Sequence, residues 1–134
     1  MKTSIIINPA DAETIKNLID PDDPPAGMTP TALSALRDML ATARVSKDDE
    51  ILENHVGLHD PVTLVNPADA SDWYRMEIVP PADADVNMDH ISICHPMSLA
   101  VFGRRRNAEV EWDTGHGIRH MRIEEIGKSG LICA

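Results

Sequence analysis

Along the first 45 residues the apolar positions recur at helical spacing. Ala12, Ile15, Leu18 and Ile19 fall on one face, and Asn8-Pro9 ahead of them supplies a cap followed by proline at the first helical position. Asp11 falls in the first turn, where an acid favours the helix start. Leu33, Leu36, Leu40 and Ala43 give a second stripe behind the same signal, Thr29-Pro30, and predict a helix to about Val45. Between the stripes stands "DPDDPPAG", residues 20–27, whose prolines and glycine end any helix. Two short helices around a tight acidic turn read as an antiparallel hairpin. Ahead of them, Ser4–Ile7 is a β-branched run that suits a strand or a packed arm.

After the polar bridge "SKDDEILEN" the period changes from 3.6 to 2. Val62–Val65 and Trp73–Val79 read as strands, the second with Tyr74, Met76 and Ile78 on one face. "PPADADVN" interrupts the pattern, and Ile91 and Ile93 mark a third strand. Pro96–Phe102 is the one helical piece of this half, with Gly103 as its stop. Glu109–Asp113 alternates strictly, "TGHG" supplies a hairpin turn, and Ile118–Ile126 returns with Met121 and Ile123 inward. The expectation is an α+β protein in two parts. Residues 1–50 form an N-terminal arm and a short antiparallel helical hairpin; residues 51–134 form an antiparallel sheet with one packed helix.

Composition narrows the function. The 134 residues carry a net charge of −10, shared evenly between residues 1–55 and 56–134. Phosphate neutralisation needs clustered cations, so direct DNA contact is expected to be weak, and a basic protein surface is the better partner. Trp73, Tyr74, Phe102 and Trp112 are the only aromatics, too few for a base-stacking platform. No apolar run approaches membrane-spanning length and no signal-peptide core is present, which places the chain in the cytoplasm. Cys94 and Cys133 do not form a disulfide framework.

"ISICHPMSLAVFG", residues 91–103, invites a chemical reading because Cys94 and His95 are adjacent. In an extended strand neighbouring side chains point to opposite faces, so a nucleophile–base pair is not expected. His90 would share the face of Cys94 but lie ~13 Å away. Pro96 suits a first helical position, which makes His95 the cap. The histidines His55, His59, His116 and His120 lack the spacing of a structural zinc site, so no metal or other cofactor is expected. "RRR", Arg104–Arg106, is the only cation run. It reads as a solvated turn at a helix C-terminus, or as a contact for an acidic surface or nucleic acid.

The sheet half resembles the C-terminal, FKBP-like domain of the GreA/GreB transcription factors. The resemblance runs from Val62 to about Gly127, and its most specific part is "ISICHPMSLAVFGRRRNAEVEWDTGHGIRHMRIEEI". "TSIIINPADAETIKNLI" resembles the start of the short Rnk branch, named for regulation of nucleoside diphosphate kinase. The resemblance implies a non-enzymatic transcription regulator that docks at the secondary channel of RNA polymerase. It implies rim contact by the element before the helix, where Pro96 matches and Cys94 and His95 replace smaller polar residues. It also implies an inward-pointing hairpin tip carrying Asp20, Asp22 and Asp23. In Gre factors acidic tip residues help hold a catalytic magnesium ion; a hairpin this short is expected not to support transcript cleavage. Two alternatives are a regulator of another protein, such as nucleoside diphosphate kinase, and a true cleavage factor. Prolyl isomerase activity is disfavoured by the shortage of aromatics for a pocket.

Overall fold

A computed structural model describes residues 5–19 and 29–127. The chain starts with strand β1 (Ile6–Ile7) and helix α1 (Pro9–Ile19); helix α2 (Pro30–Thr42) leads into β2 (Arg44–Val45) and a single turn, α3 (Asp49–Leu52). The sheet is built from β3 (Pro61–Asn66), β4 (Asp69–Val79), β5 (His90–Ser92), β6 (Glu109–Asp113) and β7 (Ile118–Ile126). Helix α4 (Pro96–Val101) precedes β6. Five strands lie in the order β5-β4-β3-β7-β6, antiparallel except at one edge, where β5 runs parallel to β4. The parallel pair requires a crossover, and residues 80–89 supply it with two short 3₁₀ turns, Pro81–Asp83 and Val86–Met88.

The helix starts follow the sequence signals. The Thr29 side chain accepts from the Ala32 N–H at 3.0 Å, and Asn8 Oδ1 accepts from the Asp11 N–H at 2.7 Å. The end of α2 is a correction. Helix was expected to about Val45, but α2 stops at Thr42, and Arg44–Val45 pairs in parallel with Ile6–Ile7. The Arg44 N–H donates to the Ile5 carbonyl at 2.8 Å, and the Ser46 N–H to that of Ile7 at 3.0 Å. Two residues of strand are too few for any periodicity to reveal. The third strand is corrected too: it is His90–Ser92, and Ile93 and Cys94 lie in the turn that follows.

One apolar cluster joins the helices to the sheet. Ile7, Ile15, Leu36 and Met39 from the first part pack in the same core as Val62, Leu64, Met76, Ile78, Val101, Phe102, Met121 and Ile123. Helices of 11 and 13 residues are marginal alone, and burial of these faces is what holds them. Met121 and Ile123 point inward as the alternation requires, and Val110 is buried between exposed Glu109 and Glu111.

Polar groups fasten the two parts as well. Gly103 is the junction: its carbonyl accepts from the Ile6 N–H at 3.0 Å and lies 2.9 Å from His55 Nδ1, while its N–H donates to the Val56 carbonyl at 2.8 Å. Asp11, buried on α1, accepts from the Leu58 N–H at 3.0 Å. The neighbouring Gly57 N–H goes to Asp60 Oδ2 at 2.8 Å.

Candidate functional site

The element before α4 is preorganised, and its His95 and Pro96 are exposed while Cys94 is half-buried. The His95 N–H donates to the Ser92 carbonyl at 3.0 Å, closing a tight turn, and Ser92 Oγ accepts from the Cys94 N–H at 3.1 Å. Pro96 then opens α4. His95 is the cap, with Nδ1 accepting from the Met97 N–H at 3.1 Å. Histidine is an uncommon cap, and the arrangement needs Nδ1 unprotonated.

The Cys–His pairing fails, though not for the reason expected. The two residues occupy a turn, so strand alternation does not apply. His95 Nδ1 is committed to the Met97 N–H, and burial pushes the Cys94 thiol up, away from thiolate. His90 faces elsewhere, with Nε2 3.5 Å from Glu77. His55 is buried against Gly103, and no cluster of three His, Cys, Asp or Glu side chains suited to a metal occurs among the described residues.

Cys94, His95 and Pro96 line a groove of about 580 Å³. Ser92 and Leu99 continue this wall. The start of α2, with Thr29, Thr31 and Ala32, and the crossover residues Pro81 and Ala84 complete it. The groove therefore lies where the start of α2, the crossover and the entry of α4 meet. Thr29 was legible only as a cap, and nothing in its spacing placed it beside His95. The arginine run lies in a separate pocket. Arg104 is half-buried, whereas Arg105 and Arg106 are exposed and line a space of about 290 Å³ with Asn54 and Asn107. Asp20, Asp22 and Asp23 lie outside the described residues.

Burial also lowers the His95 pKa below the usual imidazole value. The unfolded chain therefore takes up a proton before the folded one. The contribution of His95 is complete above ~pH 6.5 and is lost as pH falls toward the lower folded value. His95→Ala is expected to cost about 0.5–1 kcal/mol near neutrality. Urea unfolding at pH 7 and at mildly acidic pH checks this: the gap between the wild type and the variant should narrow in acid.

The family model described as "Transcription elongation factor, GreA/GreB, C-term" matches residues 51–128, more than half of the chain. The chain belongs to the GreA/GreB family. Its function is accordingly of the transcription elongation factor type. A solved GreA/GreB elongation factor from Nitrosomonas europaea is 27% identical, with a TM-score of 0.76 over 95% of this chain and 100% of that one. GreA factor homolog 1 of Thermus thermophilus is 21% identical, with a TM-score of 0.51 over 93% and 99%. The Thermus aquaticus homolog gives 21% and 0.52 over 95% and 100%. At that identity the two Thermus proteins share the fold alone. No curated protein matches the chain. In the GreA/GreB chain the matched segment begins at the end of α3 and contains the whole α4 entry. No helix among the described residues is long and apolar enough to cross a membrane.

Proposed function

We propose that this GreA/GreB family member docks on RNA polymerase at the secondary channel and regulates transcription without stimulating transcript cleavage. The observation that carries the proposal is the preorganised Cys94–Pro96 joint, with His95 and Pro96 exposed, bordering the groove with α2. It sits at the element to which the family resemblance assigns contact with the polymerase rim. Exposed Pro96 has fixed φ, so little conformational freedom is lost when a partner closes over it. The overall charge of −10 favours a basic partner surface.

Two features support the absence of cleavage. At 1.5 Å per residue, α1 and α2 extend only ~17 and ~20 Å. Their inner faces are also spent on the shared core through Ile15, Leu36 and Met39, so the described helices are held against the body of the protein.

Co-purification with core polymerase, competed by a Gre factor, tests the docking. The double variant His95→Ala/Pro96→Ala is expected to bind at least ~10-fold more weakly, the scale of a central interface contact. Capture of a nucleoside diphosphate kinase and no polymerase would shift the reading to the other partner. Addition of the protein to a stalled elongation complex should release no 3′-terminal RNA fragments. Their appearance would make this a cleavage factor.

A further inference from the structure

The pocket lined by Asn54, Arg105, Arg106 and Asn107 brings two guanidinium groups and two side-chain amides together on an acidic protein. Its backbone is fixed from several sides. His55 and Arg105 form an isolated antiparallel bridge, and the Arg106 N–H donates to the Asn54 carbonyl at 2.7 Å. The Ala108 N–H closes a turn on the Arg105 carbonyl at 3.0 Å. Asn107 holds a left-handed φ of 73° and donates its N–H to the Ile123 carbonyl at 2.8 Å. The backbone of this turn is thus tied into the protein, and its residues line the pocket.

The arginines are not used up by carboxylates. Arg105 and Arg106 make no ion pair among the described residues; Arg106 Nε donates a long hydrogen bond to the Glu124 carbonyl at 3.4 Å, which leaves its two terminal nitrogens. The Glu124 carboxylate is taken by Arg122 at 2.9 Å, and that of Glu109 by His120 at 2.8 Å. Glu53, next to Asn54, is exposed, as are Asp49 and Glu50 in α3 and Glu125 beside Glu124, and none of them forms an ion pair with either arginine among the described residues. Two planar guanidinium groups with paired N–H donors, flanked by two side-chain amides, suit a tetrahedral oxyanion better than a single carboxylate.

We propose that Asn54, Arg105, Arg106 and Asn107 form a binding site for a phosphate group. The group is carried either by a free nucleotide or by the backbone of a single-stranded RNA. The site is separate from the groove at His95 and does not depend on polymerase docking. With a net charge of −10 around it, binding is confined to low ionic strength and weakens steeply with salt.

The test is an NMR titration of the full chain at low salt with pyrophosphate, a nucleoside triphosphate and a short single-stranded RNA, each in turn. The arginine Nε–H signals of Arg105 and Arg106 and the side-chain amide signals of Asn54 and Asn107 are expected to shift. The double variant Arg105→Gln/Arg106→Gln should bind at least tenfold more weakly with an otherwise unchanged spectrum. Saturation by pyrophosphate that competes with the nucleotide assigns the site to free phosphates. Binding by RNA alone, tightening with its length, assigns it to the nucleic-acid backbone. If none of the three ligands shifts these signals, or if the double variant responds as the wild type does, the proposal is wrong. Polymerase co-purification would be unaffected by that result.

Discussion

Replacing Gly103 with alanine is expected to destabilise the protein by about 3 kcal/mol, combining the left-handed penalty for a residue with a Cβ and the cost of overpacking. Gly103 has a φ of 75°, a region that costs an alanine ~1–2 kcal/mol. A Cβ there would also run into the Ile5 side chain, with Ile7 Cγ2 at 3.3 Å behind it. Ile5 cannot simply retreat, because its own carbonyl is bonded to Arg44 and the next N–H to Gly103. The new methyl therefore pushes the N-terminal arm away from α4 and strains β1–β2 with it. The urea midpoint should fall accordingly. An alanine variant as stable as the wild type would mean that the arm does not dock on Gly103.

Asp11→Ala is expected to cost about 2 kcal/mol, since the change removes a charged acceptor from a part-buried N–H. The carboxylate reaches from α1 to the Leu58 N–H, 47 residues away in sequence. Water has little access there: Asp11 is only 8% exposed, and a Cβ on Gly57 would lie 2.9 Å from both the Asp11 and Asp60 carboxylates. Asp11→Asn keeps a side-chain oxygen for Leu58 and should lose less, about 1 kcal/mol. Equal losses for the two variants would show that the charge, not the hydrogen bond, carries the effect. Hydrogen exchange at the Leu58 amide separates these cases directly, because only alanine leaves that amide without its acceptor.

Both predictions concern contacts that sequence patterns could not reveal. The pattern does describe local structure well. Glu109–Asp113, the "TGHG" turn and Ile118–Ile126 form the expected hairpin, because alternation and glycine placement act over a few residues. His95 as a cap and Gly103 as a stop were likewise legible from Pro96 and from the apolar run between them. What stayed hidden is what distant segments do to one another. Asp11 reads as an acid at a helix start, yet its carboxylate holds Leu58. Arg44–Val45 reads as the end of α2, yet it is a strand, because Ile6–Ile7 lies alongside to pair with it. The candidate groove follows the same division. Cys94, His95 and Pro96 were visible as its one wall, whereas Thr29, Pro81 and Ala84 come from segments whose own patterns say only cap and turn. Asn54 and Asn107 escaped notice for the same reason: neither type stands out until Arg105 and Arg106 are folded beside it.

The docking of β1 has a consequence during synthesis. Ile6 leaves the ribosome roughly a hundred residues ahead of Gly103, which at ~5–20 residues per second amounts to some 5–20 s. Its first partner, Arg44, emerges after less than half of that interval, but the Gly103 carbonyl arrives only with the end of α4. Until then the Ile5–Ile7 run is a short, sticky, β-branched segment whose docking is incomplete. This segment of the nascent chain is therefore open to misassociation until Gly103 has been made.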